Sequence, residues 1–373
     1  MEETFELIKM YLLFYLLIFC FTIYSFELKS NRQFVISFLL FFLCLLFFGL
    51  RWRSGADYDG YLDIYFRTPL LDNFSLDTIN GIHGEIGFLA LISTFKFASV
   101  PDFIYMFFLS FLSLSLKFYF FNKECKMPVF AVLCYIFLFS MLYEFVQIRY
   151  ALALGFVLLA ISFYVSRQYK FSLFLFALAA CFHYFSLVFL VIYLSRFSCQ
   201  YWLCYFLSII LFYFFSHTDP AAAILLLSDV IGVNIPLFTR LLGYLSGEDH
   251  YSAALSFSSV LVLRFYFIAL LILLAHSFFE VKNSRFNNYV AILMLGLVLS
   301  SVISFNSILF SRFVNLFEIL EVLLIANLVS MLTCKITKVT LGLVMLVFYS
   351  FFYFNSINSE NIYEYQVWFD MLL

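Results

Sequence analysis

Apolar runs of nearly constant length recur along this chain, at residues 8–26, 34–50, 101–121, 128–145, 150–166, 199–216, 259–279, 288–306, 312–330 and 339–355. Each is close to the ~20 residues a helix needs to cross a hydrocarbon layer. In lipid the backbone must satisfy its own hydrogen bonds, which leaves only helices and closed barrels. These runs are continuous rather than alternating, and that selects helices. The expected fold is all-α, a polytopic transmembrane helical bundle of about 11–13 membrane segments. The whole chain, 1–373, is expected to form a single transmembrane domain.

Composition excludes a water-soluble alternative. Charged residues make up 12% of the chain and hydrophobic ones 65%, against about 25% charged in a soluble domain. The mean hydropathy is +1.02, so the lipid bilayer is an obligatory partner. A net charge of -2 with no long basic run gives no reason to expect nucleic acid. The eight cysteines are scattered without a CxxC and read as small hydrophobes rather than disulfides or metal ligands. The N-terminus, with acids and no small-residue cleavage site, reads as an uncleaved first span. Walker A, GxGxxG, HExxH and GxSxG motifs do not occur. Any chemical energy must therefore come from the substrate, and no cofactor is expected.

Two apolar segments do not fit simple spans. Residues 85–98 are short, and residues 171–195 are interrupted by Cys181-Phe182-His183-Tyr184. Positive pairs at Lys29/Arg32, Lys123/Lys126, Arg167/Lys170, Lys282/Arg285 and Lys335/Lys338 set the orientation. All reach the cytoplasm if 85–98 is re-entrant and 171–195 is a hairpin bent near His183. The loops 51–84 and 217–258, and both termini, are then extracytoplasmic. Non-helical backbone at depth is tolerated where it lines a wet cavity. Re-entrant or broken helices lining an outer-face cavity are therefore expected, with one ordinary span in each place as the alternative. The same topology sends Arg51, Arg53, Asp57, Glu85, Arg149, His183 and Arg312 to that face, although most of these did not enter the parity argument.

Four clusters carry possible chemistry. Arg51-Trp52-Arg53-Ser54-Gly55-Ala56-Asp57-Tyr58-Asp59-Gly60-Tyr61 begins where the second span ends. Its forked guanidinium groups suit phosphate or carboxylate, and its rings suit a sugar or the interface. Asp57-Tyr58-Asp59 resembles the DxD of metal-dependent glycosyltransferases, but no metal is expected; Asp57 is expected to position Arg51 or Arg53, or to bind a sugar hydroxyl. Gln147-Ile148-Arg149-Tyr150 lies between two spans, where Arg149 could meet an anion or be a plain loop arginine. His183 could act as a base, donate to phosphate or be a satisfied buried histidine. Ser311-Arg312-Phe313 precedes Glu318 and Glu321, which could pair with Arg312 or Arg264.

The order of these motifs resembles the EpsG/Wzy family of bacterial surface-polysaccharide polymerases, which includes the O-antigen polymerases. The resemblance rests on Arg51-x3-Gly55-x-Asp57-x3-Tyr61, Glu85-Ile86-Gly87-Phe88, Gln147-Ile148-Arg149-Tyr150-Ala151-Leu152-Ala153, Phe182-His183-Tyr184-Phe185-Ser186 and Ser311-Arg312-Phe313. One departure is Tyr150, where the pattern leads one to expect Gln. The resemblance implies a GT-C-like bundle in the bacterial inner membrane. It implies a glycosyltransferase that joins undecaprenyl-diphosphate-linked repeat units on the periplasmic face, with donor and acceptor both lipid-linked. A polysaccharide chain-length regulator is a possible partner. On this reading His183, Arg149 and Asp57 are catalytic, and Arg51, Arg53, Tyr61, Glu85, Gln147, Tyr184 and Arg312 bind substrate. A flippase or transporter of lipid-linked oligosaccharide is the alternative, but it would be expected to show internal repeats and charge in both halves. An O-antigen ligase-like membrane transferase is a further one.

Overall fold

The computed structural model describes residues 2–26, 30–196, 200–218, 255–357 and 365–367. In chain order the helices are α1 (Glu2–Ser25), α2 (Ser30–Gly49), α3 (Tyr58–Arg67), α4 (Ile86–Phe97), α5 (Asp102–Glu124) and α6 (Pro128–Tyr135). A π-helix (Ile136–Val146) continues α6, and α7 (Ile148–Val165) and α8 (Tyr169–Phe182) follow. After a 3-10 helix (Tyr184–Arg196) come α9 (Tyr201–Ser216), α10 (Val260–Phe278), α11 (Ser284–Val302), α12 (Ser307–Met331) and α13 (Lys335–Ile357). Two short strands, β1 (Arg51–Trp52) and β2 (Gln366–Val367), are the sheet among the described residues. Eight of these helical stretches are long and apolar enough to cross a membrane, and the chain is an all-α multi-pass membrane protein. Most of the expected loop 217–258 lies outside the described residues.

The chain divides into two compact units, one formed by Met1–Phe189 with Val329–Leu373 and the other by Leu190–Leu328. In the first, α6, the π-helix and α7 form the core. Their membrane-length windows are 94% and 89% buried, against 50% for α5. The apolar faces of α5, α2, α8 and α13 cover them. In the second unit α9, α10 and α11 pack together, tied by the Tyr266 hydroxyl, which donates to the Ser208 carbonyl at 3.0 Å.

Both irregular segments are irregular in the fold. Helix α4 has 12 residues, roughly 18 Å of rise, short of a ~30 Å hydrocarbon core. The 171–195 run breaks at His183, whose backbone is extended (φ -157°, ψ 108°) between α8 and the 3-10 helix. The hydrophilic stretch 51–84 is more structured than a loop. It contains α3, which buries Tyr58, Tyr61, Leu62, Ile64 and Tyr65 on one face. Lys96, in the last turn of α4, donates to the Tyr65 and Phe66 carbonyls at 3.2 and 3.1 Å. A cation thus caps the carbonyl end of α3.

The antiparallel strands pair Arg51 with Val367 and Trp52 with Gln366. The Gln366 amide donates to the Ser54 hydroxyl at 2.9 Å, and the Tyr365 hydroxyl donates to the Phe47 carbonyl at 2.6 Å. Residues 365–367 therefore return to the end of α2. The cysteine reading needs one correction. Cys20, Cys44, Cys125, Cys134, Cys181 and Cys334 are free thiols, but Cys204 is disulfide-bonded. Spacing without a CxxC does not rule out a bridge, because cross-linking depends on Cα separation in space.

Candidate functional site

Three breaks in helical continuity meet in the first unit. The first is the turn between β1 and α3. Arg53 there adopts a left-handed backbone (φ 46°), an uncommon and strained conformation for a residue with a Cβ. Two residues on, Gly55 lies so close to the end of the π-helix that a Cβ would sit 2.5 Å from the Phe145 carbonyl oxygen. The second break is at Gln147, where the π-helix stops and α7 starts. The Gln147 amide closes the last wide turn by donating to the Leu142 carbonyl at 2.9 Å. No side chain caps the start of α7, so its leading amides carry the positive end of the helix dipole. The third is at His183. A Cβ on Gly87, in the first turn of α4, would be 2.7 Å from both the Cβ and the carbonyl oxygen of Cys181. Only glycine lets α4 enter this close to the end of α8.

These breaks bring Arg149, Glu85, Tyr61 and Asp57 together. Arg149 Nη1 donates to Glu85 Oε2 at 3.0 Å, with side chains 12% and 9% exposed. Its guanidinium lies 5.7 Å from the Tyr61 ring centre and 5.5 Å from that of Phe88, within cation–π range. The Arg149 Nε is buried with no hydrogen-bond partner, an unusual state for a charged donor. Asp57 stands at the rim of this cluster. The protein mass around it withdraws water and raises its pKa, and the positive charge of Arg149 partly offsets that rise. The edge of the Tyr150 ring meets His183, ring centres 5.1 Å apart at 80°, and Tyr184 stacks on the other side of the imidazole at 5.6 Å. Tyr150, the departure from the expected motif, thus supplies an aromatic contact to His183 from the residue next to Arg149.

The remaining residues are spread more widely. Arg51 is 3% exposed and donates to the Phe48 carbonyl, with its guanidinium over Phe145 and Tyr58. Its Nε is also buried without a partner. Arg53 pairs with Asp59 at 3.2 Å, both largely exposed. Of the expected roles for Asp57, positioning Arg53 is the one this pairing speaks against: Asp59 takes that arginine, and Arg149 is the cation whose charge acts on Asp57. The alternating carboxylates of Asp57-Tyr58-Asp59 serve different cations. Gln147 sits half-buried at the α7 N-cap. Arg312 belongs to the second unit, where it is exposed in the second turn of α12. Also in that unit, Glu318 and Glu321 pair with Arg264 rather than Arg312.

A second charged cluster in the first unit is absent from the sequence-based candidates. Lys117 of α5 is fully buried and its ammonium donates to Glu144 Oε1 (2.7 Å), the Ser113 hydroxyl (2.6 Å) and the Ala151 carbonyl (2.6 Å). Glu144 Oε1 also accepts from the Tyr135 hydroxyl at 2.6 Å. The signal that marks this pair in sequence is a lone ionisable residue inside each of two apolar runs, an expensive placement that membrane proteins keep for a purpose.

The sequence model of the EpsG family matches residues 34–367. The chain belongs to the EpsG family. It is thus a multi-pass membrane protein of the polysaccharide-polymerase type, and the match runs from within α2 to the end of β2. Searches of curated proteins and of solved structures returned no match.

Proposed function

We propose that this EpsG-family protein is a glycosyltransferase that polymerises undecaprenyl-diphosphate-linked oligosaccharide repeat units on the periplasmic face of the bacterial inner membrane. The acceptor hydroxyl of one lipid-linked unit attacks the anomeric carbon of the glycan on another. A new glycosidic C–O bond forms, the bond from anomeric carbon to phosphate oxygen breaks, and undecaprenyl diphosphate departs with the bonding pair. His183 takes the acceptor proton. Arg149 stabilises the charge that develops on the leaving diphosphate, the kind of preorganised electrostatic help that dominates many transfers. Arg51 and the uncapped start of α7 add positive potential, and Tyr61, Tyr184 and Gln147 line the sugar path. Glu85 holds the guanidinium until substrate arrives. Arg53 would contact the outer parts of the lipid-linked substrates.

The observation that carries this reading is the Arg149 guanidinium, held by Glu85 between two aromatic rings while one buried N–H of the fork has no partner. A bidentate anion such as a diphosphate uses that geometry fully. The test is polymerisation of lipid-linked repeat units, extracted from a strain lacking this gene, by purified protein in proteoliposomes. The expected result is chain growth with release of undecaprenyl diphosphate. Movement of the units across the bilayer without chain growth would instead make the protein a flippase.

A further inference from the structure

The Lys117–Glu144 cluster makes its hydrogen bonds to none of the residues assigned above, yet it spans the corner that presents them. Glu144 lies in the last turn of the π-helix and Ala151 in the first turn of α7, with Gln147 and Arg149 between them in sequence. Lys117 contacts both sides of that corner through a single ammonium, donating to Glu144 at 2.7 Å and to the Ala151 carbonyl at 2.6 Å. Its third donor position goes to Ser113, one turn earlier on α5, which in turn contacts Glu144 at 3.2 Å. Every donor of the ammonium is used, and the pair is 0% and 1% exposed.

Stability is a weak reason for such a pair. Burying two ions costs hydration that apolar residues of the same volume would not lose. A π-helix is likewise rare and concentrates at functional positions. The two features coincide at one corner. An apolar pair would fill the same volume but would not fix the direction in which α7 leaves the π-helix.

We infer that Lys117 and Glu144 are positioning residues that clamp the corner between the π-helix and α7 and so aim Arg149 at the leaving group. This rests on the role proposed for Arg149. The clamp makes no contact with substrate, so its loss lowers turnover rather than binding, and it acts mainly through Arg149, with Glu144 also lending its charge to the field at Arg51.

The experiment compares the purified wild type with Lys117→Met/Glu144→Leu, which removes both charges and keeps the volume. Melting temperature and steady-state polymerisation of extracted lipid-linked units are measured. The expected result is an unchanged melting temperature, an unchanged KM and a kcat lowered about 10–100-fold, the scale of an ångström-level misplacement. Combined with Arg149→Lys, the double substitution should lower kcat no further, since coupled residues are non-additive. A wild-type kcat in the apolar double variant, or an additive loss in the Arg149→Lys background, overturns the inference. Should the apolar pair not fold, Ser113→Ala/Tyr135→Phe keeps both charges while removing three of their hydrogen bonds; a kcat several-fold lower at constant KM supports the clamp, and an unchanged kcat overturns it. Arg149→Ala, run alongside, separates the two failures. Full activity in that variant sinks the role of Arg149 itself, whereas a dead Arg149→Ala beside a normal apolar pair sinks only the clamp.

Discussion

Two arginine–glutamate groupings, one in each unit, show why an intramembrane charge is not by itself a site. Arg264 and Glu318 face each other from α10 and α12, two continuous helices, with side chains 5% and 0% exposed, and Glu321 adds a second carboxylate one turn on. Arg149 sits instead in the first turn of α7 and Glu85 at the N-cap of α4, where helices begin, and they are 12% and 9% exposed. The first grouping crosslinks helices. The second lies where backbone is already interrupted, amides are uncapped and a partly open rim admits Asp57. Chemistry needs a group that can exchange partners, and helix starts provide that where helix middles do not.

The sharpest way to break this comparison is to truncate both arginines. Arg149→Ala should leave the folded protein intact and lower polymerisation about 10²–10³-fold, the usual loss of one transition-state donor. Arg149→Lys should recover only part of it, because an ammonium lacks the planar fork. Arg264→Ala should do the reverse. Removing one partner strands buried carboxylates, at about 3–5 kcal/mol, so protein yield and melting temperature fall while turnover per folded molecule holds. Polymer length on gels at matched protein level, with melting curves in detergent, reads both arms. Equal activity losses at equal stability would erase the distinction between the two groupings.

Next in size is His183→Gln, which keeps a donor and an acceptor but cannot take a proton near neutral pH. A general base typically contributes about 10²–10⁴-fold, and loss toward the lower end is expected, with lipid-substrate binding retained. Near-normal turnover would leave His183 a packing or hydrogen-bonding residue between Tyr150 and Tyr184.

How much of this was legible beforehand follows from what each feature depends on. The spans were legible because apolar length is a local property. The interruption at His183 was legible because a polar residue inside an apolar run, joined to the parity of the positive loops, allows few alternatives. The π-helix was not. Ile136–Val146 has the composition of an ordinary span, and the wider turn is tied to Glu144 facing Lys117 and to Phe145 facing Gly55, both tertiary facts. Nor could composition tell whether Asp57 or Asp59 takes Arg53, since both lie within reach along the chain. The pairing of β1 with β2 joins two-residue strands some 300 positions apart, which no local pattern encodes.

A smaller effect is expected at Gly87. Alanine there must displace Cys181 backbone, and overpacking of this kind costs about 1–3 kcal/mol. The melting temperature should fall, and because α4 carries Glu85, the affinity for lipid-linked substrate should change with it. Gly60→Ala is the control, since a Cβ there meets nothing within 4 Å. Equal behaviour of the two variants would mean that the approach of α4 to α8 is not a constraint.

The smallest effect sits at the rim and tests whether the open grouping is electrostatically connected. Asp57 loses water to its surroundings, which raises its pKa above the ordinary 3.8, and Arg149 pulls it back. A carboxyl whose folded pKa is raised binds its proton more tightly in the folded state than in the unfolded one. Its contribution to stability is therefore most favourable below the unfolded pKa, and it declines as pH rises through the interval between the two values. Asp57→Asn should remove that decline, so the melting temperature of the variant relative to wild type should rise across this acidic interval. Replacing Arg149 with Gln removes the offsetting charge, so the interval should widen toward higher pH. In the Arg149→Gln background the Asp57→Asn substitution should then give a larger relative gain. A decline unchanged by the loss of Arg149 would mean that the two groups do not share a field, and the rim would no longer belong with the arginine.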